Sequence, residues 1–126
     1  PDAARSQLDR VQVHAMHFGE MSDEVRRKLD RVEAAINTRV LLDVDYQDEA
    51  GATSRRQMRP LGLYFWGKVW TLVALCELRQ DFRNFRVDRM AVIREGDVFR
   101  EERDKSLRAF YDEQSRKGYR RPDNAL

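Results

Sequence analysis

The sequence predicts a mainly β domain with flanking helices, an α+β arrangement. In it a small β-barrel of SH3-like or Sm-like outline follows one amphipathic helix. Three observations predict this. Five or six short runs rich in β-branched and aromatic residues lie between residues 39 and 94, separated by Gly- and Asp-containing turns. Before them, apolar residues recur at helical spacing over residues 22–38. After the most apolar run, Arg79, Arg83, Arg86 and Arg89 fall within eleven positions, which predicts a barrel with a basic rim.

The helix has its start signals in place. Ser22 is a suitable N-cap, and Asp23 and Glu24 lie in the first turn, where the helix dipole favours anions. Val25, Leu29, Val32 and Ile36 then share one face. Arg26, Arg27, Lys28 and Arg31 are interleaved with acidic residues, so they read as a solvated face and not as a basic stripe.

The strands follow in order. Over 39–47, Val40, Leu42, Val44 and Tyr46 alternate against Arg39, Leu41, Asp43 and Asp45. Asp48–Gly51 is a turn, and Thr53–Arg59 is the return strand of a hairpin. Pro60 lacks an amide donor, so a bend or an edge position is expected there. Leu61, Leu63 and Phe65 face one side of the next run, with Tyr64 and Trp66 opposite. Gly67-Lys68 is a tight turn. Val69–Cys76 is apolar on both faces, as expected of a strand covered on both sides or central in a closed barrel. Phe82–Val87 is the next strand, with Arg83 on the face of Phe85 and Arg86 on that of Asn84. Asp88-Arg89-Met90 reads as a one-turn corner, and Ala91–Arg94 as a last short strand. Leu107, Phe110 and Tyr111 are spaced for a short amphipathic helix within 102–117, and the chain from Gly118 onward reads as a frayed basic tail.

Composition bounds the function. The chain has 126 residues, which suits one domain. Its one cysteine cannot form an internal disulfide and suits a reducing, cytoplasmic setting. No apolar run approaches the length of a membrane span. The chain begins at Pro1, and it is expected to be a fragment of something longer. Net charge is +2, unevenly spread: −4 over residues 1–54, +6 over 55–94 and zero over 95–126. The concentrated positive charge is the footprint of an anionic ligand, nucleic acid included.

Catalysis finds no support. There is no glycine-rich phosphate loop and no nucleophile elbow. Cys76 sits in the most apolar strand and reads as an inert core thiol. His14, His17 and Glu20 have helical metal-ligand spacing, but they fall where a short strand over 11–16 gives way to a turn, and no fourth ligand is nearby. Neither an enzyme nor a cofactor or metal is expected. Binding is better supported. Guanidinium groups pair with phosphate oxygens, and Phe82 and Phe85 interleave with the arginines, as single-stranded nucleic acid or a nucleotide would require. The competing expectation is that these arginines pair with Asp81, Asp88 and other acids.

The run from Pro60 to Met90 resembles the WYL domain of bacterial helix-turn-helix transcriptional regulators. The matching pieces are Pro60-Leu61-Gly62-Leu63, the Gly67-Lys68 turn, Trp70-Thr71-Leu72, Leu78-Arg79 and Phe85-Arg86-Val87-Asp88-Arg89-Met90. Thr71 departs from the family's tyrosine. The resemblance covers residues 29–95. It implies an Sm-like barrel, with residues 1–21 as the end of an interdomain linker, 22–96 as the WYL domain and 97–126 as a C-terminal helical extension. It also implies DNA binding through an N-terminal helix-turn-helix absent from this chain, a homodimer, and a basic and aromatic pocket that senses a ligand. Carried to this sequence, that pocket comprises Arg79, Arg86 and Arg89, with Arg83 beside them, Tyr46 as a stacking partner, and Trp70 and Thr71 from the name triplet. Trp70 reads equally as core or pocket. Two other readings remain open: an Sm-like RNA-binding structural module, and a dimerisation domain without a ligand.

Overall fold

The computed structural model describes residues 21–118. The expectations for the first twenty residues, His14, His17 and Glu20 among them, lie outside the described residues, as does most of the tail.

Helix α1 spans Asp23–Thr38. The Ser22 side chain accepts a hydrogen bond from the Val25 amide at 3.1 Å, which satisfies one of the donors a helix start leaves free. At the other end Arg39 adopts a left-handed backbone (φ 54°), and its amide turns back to the carbonyls of Ala35 and Ile36. Leu29, Val32 and Ala35 are buried, and Ile36 packs against the same core. Ser22→Ala removes the cap, and thermal unfolding should show a loss of about 1 kcal/mol.

Five antiparallel strands follow: β1 Val40–Gln47, β2 Thr53–Trp66, β3 Val69–Cys76, β4 Asp81–Arg86 and β5 Met90–Val98. They form one sheet in the order β4-β3-β2-β1-β5. The sheet is not closed into a barrel. Among the described residues β4 pairs only with β3, and β5 only with β1, so each end strand keeps one edge without a ladder. The coarse expectation of a mainly β, α+β domain stands, and closure is not part of the observed pairing.

The expected return strand does not stop at Arg59; β2 runs through Pro60 to Trp66. Two features make the proline tolerable. The register of β2 with β1 ends at Leu42↔Met58, so Pro60 lies past that ladder. Its register with β3 shifts between Pro60 and Gly62. The shift also changes parity. Met58 is a core residue, and beyond the bulge the core residues are Leu63 and Phe65. Odd-numbered and even-numbered positions thus exchange faces midway along β2.

The β2–β3 hairpin closes through Gly67 (φ 59°) and Lys68 (φ 68°). Two consecutive left-handed residues match the twist of the flanking strands, and Gly67 makes the first of them inexpensive. β3 is buried along nearly its whole length, as its two apolar faces predict. Trp70, Leu72 and Ala74 join the core beneath α1, together with Leu42, Val44, Met58, Phe85, Val87, Met90 and Ile93.

The opposite face of β3 is covered by the C-terminal segment. A short 3-10 turn, η2 (Arg103–Lys105), leads into helix α2 (Leu107–Arg116). Leu107 lies so close over Gly62 that a Cβ there would come within 2.7 Å of it. Buried Phe110 meets the Phe82 ring edge-on at 5.7 Å. Gly62 and Phe82 flank Val73 and Leu75 in register, so α2 seals the second apolar face. Arg59, 13% exposed, ties the segment down, with Glu77 at 2.6 Å, Glu102 at 3.3 Å and the Phe99 ring at 5.6 Å.

Candidate ligand-binding site

Strand β4 and the one-turn corner after it, η1 (Val87–Arg89), carry most of the predicted basic residues. Their backbone decides where the arginines go. Successive residues of a strand point to opposite faces. Phe85 is in the core, so Arg83 lies toward the α1 side and Arg86 toward the α2 side. Arg79 lies in the turn before β4, at the far end of the strand from Arg86. The five residue steps from Asp81 to Arg86 span roughly 17 Å. The four arginines therefore do not form one cluster: Arg79 precedes β4, Arg83 lies within it on the inner face, and Arg86 and Arg89 lie at its far end.

The end that carries Arg86 and Arg89 is the more highly built. The Arg86 amide donates to the Tyr46 hydroxyl at 3.0 Å. The Tyr46 ring packs edge-on against Phe85 at 5.1 Å. Tyr46 thus anchors the end of β4 to β1 through its hydroxyl and its ring at once. Thr71, 9% exposed, stands directly across from Arg86 on one side and Tyr64 on the other. The Tyr64 hydroxyl donates to Asn84 at 3.1 Å on the same face. Trp70 alternates to the inner face, 4% exposed, tilted against Phe65 at 5.4 Å. It is a core residue that also borders a cavity of about 210 Å³, lined in addition by Ser22, Val25, Lys68, Val69 and Asp88. Its indole nitrogen is buried without a hydrogen-bond partner.

Ion pairs occupy three of the four arginines. Arg86 donates to both oxygens of Asp88, at 3.0 and 2.7 Å. Arg83 meets Asp81 at 3.2 Å, and Arg89 approaches Glu49 at 4.0 Å. Arg79 is exposed and has no carboxylate partner among the described residues. The same holds for Lys68. Arg55 is paired with Asp43, and Arg94 meets Asp45 at 3.0 Å. Much of the positive charge over residues 55–94 is thus matched locally, which linear counting could not show.

The Arg86 guanidinium holds the Asp88 carboxyl below the usual carboxylate range, and Asp88 in turn raises Arg86. A depressed folded value means that the pair contributes at all pH above the ordinary carboxylate range. Its contribution fades only as pH falls through that range toward the depressed value. Because Asp88 fills one edge of the guanidinium, it competes with any incoming anion. Asp88→Asn should therefore tighten binding of a phosphate-bearing ligand several-fold, measured by anisotropy at fixed salt.

Among the described residues no group of three His, Cys, Asp or Glu could hold a metal, and no helix is long and apolar enough to cross a membrane. Cys76 is a buried free thiol. Tyr64 and Trp66, which the sequence reading did not include among the pocket residues, alternate against Leu63 and Phe65; this puts both on the outer face, with Tyr64 directly across from Thr71.

An open five-stranded antiparallel sheet carrying a Trp-Thr-Leu triplet on β3 and a Phe-Arg-Val-Asp-Arg corner after β4 defines the class. The chain belongs to the WYL-domain family, whose model matches residues 27–95, more than half of the chain. Among solved structures it is similar to proteasome accessory factor B/C (PafBC) of Arthrobacter aurescens, with 31% identity over 68% of this chain and a TM-score of 0.57. The match covers 14% of the PafBC chain. No curated protein matches the sequence.

Proposed function

We propose that the chain is the ligand-sensing domain of a DNA-binding transcriptional regulator, and that its ligand is anionic: single-stranded nucleic acid or a nucleotide. In this reading residues 22–96 act as the sensing unit, with an Sm-like fold, and a helix-turn-helix elsewhere in the full protein contacts DNA. Ligand occupancy would bias the arrangement of a homodimer. One observation carries the proposal. Arg86, at the position the WYL motif supplies, is held by its backbone amide to Tyr46, and its side chain shares a face with Thr71 and Tyr64, so a guanidinium, the Tyr64 ring and its hydroxyl lie in one row. Arg89 extends this end, while Arg79 and Arg83 would serve a second contact further along the strand.

The test is fluorescence anisotropy of short labelled DNA and RNA single strands across a salt series. Binding should weaken steeply with salt, with a slope of about −0.7 per phosphate contacted. The absence of binding at low salt would defeat the proposal.

A second reading draws on the ion pairs. Arg83, Arg86 and Arg89 already have carboxylate neighbours, as an architectural dimerisation domain would have. It predicts a dimer in sedimentation and no affinity for any oligonucleotide.

A further inference from the structure

Of the large apolar side chains that remain exposed, Trp66 has the most unusual setting. It is 64% exposed, whereas Trp70, four residues on, is 4% exposed. Trp66 ends β2 at the hairpin and pairs in register with Val69. Strand alternation puts it on the face of Tyr64, whose hydroxyl bond to Asn84 fixes which face that is. The next row on that face is Tyr64, Thr71 and Arg86, directly across from one another. Trp66 and Arg86 are two strands and two residues apart, roughly 12 Å between Cα atoms. Lys68 stands at the hairpin tip two residues from Trp66, where it also borders the cavity on the α1 side; it is exposed and without a carboxylate partner among the described residues.

The neighbours of Trp66 decide what it suits. An apolar protein partner would call for a contiguous apolar patch. The other large exposed apolar residues are Leu78, Val92 and Val98, which belong to the β3–β4 turn and to β5. Around Trp66 the surface instead presents the exposed Lys68 ammonium at the hairpin tip, the half-buried Tyr64 ring and hydroxyl, and, further off, the Arg86 guanidinium held by Asp88. A flat ring standing alone among cations matches a ligand that is itself flat and anionic by turns. A base stacks on an aromatic face whatever its identity, and the adjoining phosphates meet the cations.

We infer that Trp66 is the base-stacking platform of this chain, with Lys68 and Arg86 taking the flanking phosphates of a single-stranded nucleic acid laid across the β2–β3–β4 surface. The inference rests on the proposed nucleic-acid reading and adds to it a residue outside the family's motif. It also accounts for a strongly apolar side chain standing in solvent at no benefit to folding.

The test uses the 126-residue chain and two fluorescein-labelled probes: a seven-nucleotide thymidine oligonucleotide and an abasic strand of the same length. Trp66→Ala should weaken the thymidine strand by about tenfold or more, and Trp66→Phe should restore most of the affinity. Neither change should alter binding of the abasic strand, whereas Arg86→Ala should weaken both. The emission of Trp66 should be quenched by the thymidine strand in the native chain. Undiminished binding of the thymidine strand by Trp66→Ala overturns the inference while leaving the nucleic-acid reading intact. So does loss of self-association in that variant with strand binding unchanged. If the native chain binds neither probe at low salt, the underlying reading fails and the inference fails with it.

Discussion

Arg86→Ala weakens single-stranded oligonucleotide binding by at least about tenfold and leaves the fold in place. Hydrogen bonds to a charged group contribute about 1.5–3 kcal/mol each, so losing one bidentate guanidinium is enough for this effect. The fold survives for two reasons. The contact from this residue to Tyr46 is made by its backbone amide, which alanine retains. The partner left behind, Asp88, is about a third exposed, so water solvates its carboxylate. The salt slope of the variant should be shallower by about one phosphate contact. Double substitution with Arg79→Ala should abolish binding. Because Arg79 lies at the other end of β4, the two effects should be additive. An Arg86→Ala chain that binds as tightly as the native one would remove the guanidinium from the site.

Leu72→Ala destabilises the chain by about 2–5 kcal/mol. Leu72 is fully buried at the centre of β3, and its register partners Leu63 and Phe85 are core residues as well. Trp70 and Ala74 occupy the same face on either side of it. These neighbours lie on three adjacent strands held by backbone ladders, so the space left by the missing isobutyl group cannot easily collapse. In a domain of this size about 1 kcal/mol corresponds to roughly 4–8 °C in Tm, so the loss is readable by calorimetry or circular dichroism. A Tm change below about 4 °C would show that the core is looser than the packing implies.

Much of the architecture was legible because it is written in short-range patterns. The Ser22 cap, the 3.6-residue spacing from Val25 to Ile36 and the alternation of β1 each depend on neighbours a few residues apart, and each appears as expected. The same is true of the Gly67-Lys68 turn, while the corner expected at Asp88–Met90 lies one residue earlier, at Val87–Arg89. Pro60 was less legible. Its missing amide predicts an interruption, yet only the staggered ladders, β1 on the first part of β2 and β3 on the second, let the strand continue through it.

The grouping of the arginines was less legible. Four arginines within eleven positions look like one cluster along the chain. Strand alternation sends Arg83 and Arg86 to opposite faces, and strand length separates Arg79 from Arg89. The charge excess over residues 55–94 was equally visible, as was the option of pairing with Asp81 and Asp88, but its neutralisation by Asp43, Asp45 and Glu102 was not, because those partners are remote in sequence.

Alone, then, the sequence determined the elements, their order and the two-faced burial of β3, since local periodicity and turn chemistry encode all three, and it carried the WYL resemblance in the identity and spacing of particular residues. Tertiary structure alone decided that the sheet stays open, that α2 covers its second face through Leu107 and Phe110, and that Trp66 stands exposed beside Lys68 and the Arg86 row. The physical reason is the same in each case. Which strands pair, and which groups then meet across them, depends on contacts between distant residues that no local pattern carries.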